Sequence, residues 1–261
     1  MNTLKKSFIL FCLILIVRDA IGEYDPDLAI RARNKAAVDQ ILKENTEKYK
    51  NNPDMLVLPG LIADRKAQKV TLLAEATGLT KGSPVEFFLV SETSGHGYES
   101  LAVSFAMPGN LQKSLEFIGM KPGRTADAGK CAFWPKGERV IVTFKSKDPE
   151  QKDGSTRIET LVLDSRSQKP LPECGLVFTG SPLIQSPEKP GTNVFASDAR
   201  EPGSLASTYN ALETVLDVPF SWAQKTVYGN ILANHSNTLK TGSLLEITFE
   251  PEYKDGKKRV T

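Results

Sequence analysis

The sequence predicts an α+β fold built on a mostly antiparallel sheet with a few short flanking helices. Two observations carry this. Short segments rich in Val, Leu, Ile and Phe recur between turn signals from Met55 to Glu250, and they outnumber the helical patterns. The only two helical patterns, Asp25 to Tyr49 and Pro108 to Ile118, flank sheet-forming sequence. No internal repeat and no low-complexity tract interrupts the chain. Four regions follow: a signal peptide at 1–22, an N-terminal helical arm at 23–52, an α+β domain at 53–251 and a basic tail at 252–261.

The first region has Lys5 and Lys6, an apolar block from Phe8 to Val17, and the small-residue site Ala20-Ile21-Gly22. This is the pattern of a secretory signal, with cleavage expected after Gly22. The apolar run is about half the roughly 20 residues a spanning helix needs. Cys12 lies inside the block with no small residues before it, which argues against bacterial lipid modification. No later segment is long and apolar enough to span a bilayer. The expected location is therefore periplasmic or extracellular, with no stable membrane span after cleavage.

Cleavage removes Lys5, Lys6, Arg18 and Asp19, so 33 basic and 31 acidic residues become 30 of each. Nucleic-acid binding needs basic surface to neutralise phosphates, and a formally neutral mature chain argues against it. Two cysteines, Cys131 and Cys174, survive cleavage into an oxidising compartment. A disulfide between them and two free thiols are both open from sequence alone.

In chain order, Asp25 to Tyr49 has apolar residues at helical spacing, among them Leu28, Ala32, Val38 and Ile41. Asp25 followed by Pro26 reads as an N-cap with proline at the first helical position. The stripe is weak and alanine-rich, so the helix should lie on the domain surface or lead into it as a semi-detached arm. Met55 to Ile62 and Lys69 to Ala76 read as a strand pair turned at Asp64-Arg65-Lys66.

Val85 to Val90 is apolar on both alternating faces except at Glu86, and Leu101 to Phe105 is nearly so, broken by Ser104, which predicts strands covered on both sides. They read as a hairpin turned near Ser94-Gly95. Pro108 then opens a short helix with Leu111, Leu115 and Ile118 on one face, and Gly119 ends it. Too short to stand alone, it must dock on the sheet.

Arg139 to Phe144, Arg157 to Asp164, Cys174 to Thr179, Asn193 to Ser197, Thr214 to Val218, Val227 to Ala233 and Leu244 to Glu250 are later strand candidates. A charged connector spans 145–155, and a proline-rich loop spans Pro182 to Pro190. At the end, Asp255-Gly256 offers a hairpin turn, with a polar tail as the more economical expectation.

The strand with Glu86, then Tyr98-Glu99-Ser100-Leu101, then the proline-started helix ending Ile118-Gly119-Met120-Lys121-Pro122-Gly123, resembles the YdjY-domain proteins. These are exported bacterial proteins with no established activity. The resemblance continues at Val177-Phe178-Thr179-Gly180-Ser181 and from Asn210 through Val215-Leu216-Asp217-Val218-Pro219, covering roughly residues 55–250. Leu176-Val177 stand where that family commonly has tryptophan. The resemblance implies a fold and a location, and it lends weight to Glu99, Ser100, Gly180, Ser181 and Asp217 as positions the family uses.

Candidate chemistry is thin. His96 and Glu99 are three apart, an incomplete metal set given that the only other histidine is His235. Glu86 and Glu99 share a face if the turn has the expected register, and paired carboxylates suit acid–base work on a glycosidic bond. Ser100 near His96, and Ser181 in Thr-Gly-Ser-Pro, are candidate nucleophiles without a Gly-x-Ser-x-Gly elbow. No Cys-x-x-Cys, Walker or dinucleotide glycine pattern is present, so the sequence suggests no cofactor and no metal. Trp134 and Trp222, with Phe133 and Phe220, are expected in the core, a ligand groove being the sharper alternative. Asn234-His235-Ser236 has the form of a glycosylation acceptor, irrelevant in a bacterial protein.

The expectation is a non-enzymatic binding or envelope-associated domain with an unidentified envelope ligand or protein partner. A hydrolase acting on carbohydrate or peptide through Glu86, Glu99 or Asp217 is the alternative. Bringing two of those carboxylates into one concave pocket would favour it.

Overall fold

The computed structural model describes residues 27–148, 154–234 and 239–261. The expected signal peptide, Asp25-Pro26, the middle of the charged connector and His235 lie outside the described residues. Helix α1, Leu28–Tyr49, starts two residues later than the sequence pattern suggested. Asp27 is its cap, its Oδ1 accepting from the Ala29 and Ile30 N–H groups at 3.0 and 3.2 Å. The helix is docked rather than detached. Val38 and Ile41 pack on Leu73 and Phe105, and the Asn34 amide donates to Glu75 at 2.8 Å and to the Gly242 carbonyl at 2.9 Å.

Strand β1, Met55–Leu58, and β2, Leu61–Asp64, form a hairpin where the sequence suggested one strand. Pro59-Gly60 makes the turn. Gly60 has φ of +73°, and a Cβ there would lie 2.5 Å from the Phe105 carbonyl carbon, so only glycine fits. β3, Lys69–Ala76, completes the meander.

β4, Phe87–Ser91, and β5, Ser100–Ser104, correct a second expectation. They are adjacent but parallel, with Phe87 beside Ser100 and Leu89 beside Ala102. The segment 92–99 returns the chain from the end of β4 to the start of β5 through a 3-10 turn at Gly97–Glu99. Both strands are buried at every residue, as their two-sided apolar sequence predicted.

Helix α2, Pro108–Phe117, has proline in its first turn. The Ile118, Gly119 and Met120 N–H groups close its end on Ser114, Glu116 and Leu115 carbonyls. Strand β6, Arg139–Ser146, follows, then β7, Thr156–Arg157. The expected strand Arg157 to Asp164 is broken by a 3-10 turn at Ile158–Leu161 before β8, Val162–Asp164. β9, Lys169–Pro170, and β10, Leu176–Phe178, come next.

The expected proline-rich loop from Pro182 to Pro190 instead contains strand β11, Leu183–Gln185, and the start of the turn that leads into β12, Asn193–Phe195, ahead of the one-turn helix α3, Ala196–Ala199. β13, Ser204–Ser207, was hidden by its small polar residues. β14, Thr214–Asp217, α4, Gln224–Val227, and β15, Ile231–Ala233, precede the long β16, Leu244–Pro251.

The C-terminal residues are not a loose tail. β17, Tyr253–Lys254, and β18, Lys257–Lys258, pair through Asp255-Gly256, both at positive φ. The chain then bonds back on β6, where the Arg139 N–H donates to the Arg259 carbonyl at 2.8 Å.

The main sheet runs β3, β16, β6, β10, β14, β13, β4, β5, and β5 pairs back onto β3, with Ala74 beside Ser104 and Ala76 beside Ala102. The ladder therefore closes into a barrel. All neighbours are antiparallel except β4–β5 and β13–β14. Register stacks Val70, Phe249 and Val142 in one row and Leu72, Ile247 and Phe144 in the next, all with no exposed area. α2 touches β1, β2 and β3 on one wall and β13 and β14 on the opposite one. It buries Leu111 and Leu115 completely, worth roughly 1.5–3 kcal/mol each relative to exposure. No described helix is long and apolar enough to cross a membrane.

Candidate functional site

The structure separates the predicted residues into two places. At the first, the 3-10 turn Gly97–Glu99 brings positions three apart onto one side, so His96 Nδ1 and Glu99 Oε1 meet at 2.6 Å. Glu86 does lie beside Glu99, although the expected hairpin register was wrong. In the parallel pairing of β4 and β5 opposed residues keep a constant offset, and the Glu86 N–H donates to the Glu99 carbonyl at 2.9 Å. Glu86 Oε2 accepts from the Gln224 amide at 2.8 Å. Burial raises the Glu86 carboxyl above its ordinary range, the Gln224 bond opposes that shift, and the Glu99 charge adds to it.

Glu201 Oε2 lies 3.8 Å from His96 Nε2, and Phe87 meets the imidazole edge-on at 5.6 Å. Ser100 is fully buried and its Oγ donates to the Ala102 carbonyl at 2.9 Å, so it is not the partner of His96. Among the described residues no group of three or more His, Cys, Asp and Glu side chains is arranged to hold a metal.

The second place is a cleft of about 520 Å³ beyond the end of β10. Its floor is Thr179, Gly180, Ser181 and Pro182, and α2 contributes Gln112. Gln112 Oε1 accepts from the Ser181 N–H at 2.8 Å. Gly180 has φ of +72°, and a Cβ there would come within 2.6 Å of Pro122 Cβ. Pro122 and Gly123 form one side, held by the Gly123 N–H on the Phe178 carbonyl at 2.9 Å. Ser181 Oγ accepts from the Ser197 N–H at 2.9 Å.

A flap spanning 124–136 forms one lip. Arg124 and Lys136 exchange backbone hydrogen bonds at 2.8 Å, as do Asp127 and Ala132 at 2.6 and 2.9 Å. Asp127 caps the turn at Ala128–Lys130 and pairs with Lys130 at 3.2 Å, a bond that holds its carboxyl below the ordinary range. Phe133 and Trp134 on this flap are 53% and 58% exposed, contrary to the core expectation. Phe220 and Trp222 meet that expectation instead, stacked at 4.4 Å and packed on the core.

Asp217 joins the two lips. It is fully buried, its Oδ2 accepting from Thr125 Oγ1 of the flap at 2.7 Å and its Oδ1 from the Ala211 N–H at 3.1 Å. Ala211 precedes Leu212, which lines the opposite lip. Desolvation pushes the Asp217 carboxyl up to about 7, with the two hydrogen bonds acting against it.

Of the two states left open by the sequence, a disulfide and two free thiols, the structure has both cysteines free. Cys131 sits on the exposed flap beyond one end of β10, whereas Cys174 precedes the other end, where Arg139 donates to its carbonyl.

Three of the stretches that carried the sequence resemblance, 118–123, 177–181 and 210–219, thus contribute residues to this cleft, whereas Glu86 and Tyr98–Leu101 lie at the first place. The YdjY domain family model matches residues 61–251. The chain belongs to the YdjY domain family. No curated protein and no solved structure matches it. Within this YdjY domain, sequence reasoning named Ser181 and Asp217 but missed Gln112, Arg124, Thr125 and Leu212. Only the clustered glycines and prolines around Pro122 and Gly180 hinted that backbone would approach backbone there.

Proposed function

We propose that this YdjY-domain protein is exported and acts outside the cytoplasm as a non-enzymatic binding domain, seating its ligand in the cleft between the 124–136 flap and Leu212. The observation that carries the reading is the meeting of three separate family stretches around one open cleft of about 520 Å³, a size suited to a small ligand. Two exposed aromatic side chains, Phe133 and Trp134, stand on the flap that forms one lip, and exposed aromatics are a feature of recognition surfaces. The Lys5-Lys6 start and apolar block of the first 22 residues support export.

A thermal-shift screen against envelope sugars, peptides and carboxylic acids tests this. A compound that raises the melting temperature is expected to slow alkylation of Cys131, which lines the cleft. Hits that stabilise the protein while leaving Cys131 labelling unchanged would place the ligand elsewhere.

The hydrolase alternative draws on one observation, the adjacency of Glu86 and Glu99 beside His96. Neither glutamate lines the cleft. Turnover of a glycan or peptide that disappears in Glu86→Gln would favour it over the binding reading.

A further inference from the structure

Resting on the cleft reading above, we infer that the ligand has an apolar body and an anionic carboxylate end, with Arg124 as its anchor. Six of the described arginines, Arg31, Arg139, Arg157, Arg166, Arg200 and Arg259, lie within 4 Å of a carboxylate, whereas Arg33, Arg65 and Arg124 have none among the described residues, and of these three only Arg124 lines the cleft. Arg124 lines the cleft with no carboxylate partner among the described residues. Its Nη1 reaches only the Thr125 and Trp134 carbonyls, at 3.3 and 3.4 Å. Those contacts tether the guanidinium to both arms of the flap and leave most of its five N–H donors for another acceptor.

The other charges in the cleft do not compete. Asp127 is bound to Lys130 and to the backbone of its own turn, and Asp217 is buried beneath the lips with both oxygens used. The cleft lining therefore presents a net positive charge. A planar guanidinium recognises a carboxylate through two parallel N–H bonds, which a neutral hydroxyl or amide does not match. Pro122, Ala132, Pro182 and Leu212 supply apolar surface for the rest of the molecule. A peptide C-terminus and a free medium-chain carboxylic acid share this chemistry.

The test uses the full mature chain with Cys174→Ala, so that Cys131 is the only thiol. Maleimide labelling of Cys131 is followed with acetyl-trileucine as its free acid and as its amide, and with octanoate against octanol. The free acids are expected to slow labelling at least tenfold at saturation, and the neutral forms to have little effect. Protection by the peptide acid alone identifies a peptide terminus, and protection by octanoate alone identifies a free acid; either supports the inference. Arg124→Gln should weaken acid binding by about ten- to a hundredfold, with Arg124→Lys between the two. An unchanged melting temperature for both variants verifies that they fold.

Equal protection by acid and neutral forms overturns the carboxylate anchor and leaves the cleft as the site. Failure of all four probes, while a hit from the thermal-shift screen still protects Cys131, also overturns the anchor alone. Failure of every hit to protect overturns both.

Discussion

The two carboxylate centres of this barrel differ in what their hydrogen bonds hold together. At Glu86 and Glu99 the partners are an amide, an imidazole and backbone around the β4–β5 connection, and the cluster closes on itself. At Asp217 one buried carboxyl fastens two lips of an open cleft, Thr125 on the flap and Ala211 on the facing loop. The first resembles an active site by residue type, and the second by position. Both centres join distant segments, Gln224 of α4 reaching Glu86 at the first, so what distinguishes them is that only Asp217 fastens the lips of an open cleft.

The largest expected difference between the two centres is in pH dependence. Asp217 has its folded pKa raised to about 7 from its ordinary value of 3.8. Its protonation favours the folded state, so that contribution is complete below the unfolded pKa and is lost as pH rises through about 7. Asp217→Asn removes the loss, because asparagine is neutral and keeps one acceptor and one donor. It should therefore be more stable than the parent at pH 8, by on the order of 3 kcal/mol, with the gap closing towards pH 4. Urea denaturation at both pH values measures this. Glu86→Gln should show the same sign, since burial also raises Glu86, but within about 1 kcal/mol, because a glutamine there still accepts from Gln224.

The thiols give a second contrast. Cys131 is exposed on the flap, whereas burial raises Cys174 and lowers its thiolate fraction. Timed alkylation with peptide mapping should find Cys131 modified at least tenfold faster. The smallest effect is on stability at the rim. Trp134→Ala should change unfolding free energy by less than about 0.5 kcal/mol, because the side chain is largely outside the packing. A larger loss would mean that the flap aromatics are structural.

The parts of the fold legible in sequence were those with local physical causes. Pro108 and Gly119 bounded α2, and two-sided apolar runs marked the buried strands β4 and β5. The direction of β5 was not legible, because apolar strands without alternation carry no register signal, so the pairing followed from the barrel's closure on β3. β13 escaped notice because Ser204, Ala206 and Ser207 have no strand-forming side chains; they fit where the strand is enclosed on both faces.

At the cleft, Asp217 was visible through family resemblance, and Ser181 through that and as a hydroxyl in Thr-Gly-Ser-Pro. Thr125 and Arg124 were invisible, since their role depends on contacts 92 residues away in one case and on the absence of an acidic neighbour in the other. Glu86 and Glu99 were paired correctly for a reason that did not hold. They share a place through parallel register rather than a hairpin.

The most direct test of the account compares one stabilising ligand across two variants. Leu212→Trp fills the cleft from an exposed lip, and Glu86→Gln combined with Glu99→Gln alters the other centre without touching the cleft. Isothermal titration should show at least a tenfold loss of affinity in Leu212→Trp and less than a twofold change in the double glutamine variant. Affinity retained in Leu212→Trp and lost in the glutamine pair would contradict the cleft as the site and return function to Glu86 and Glu99.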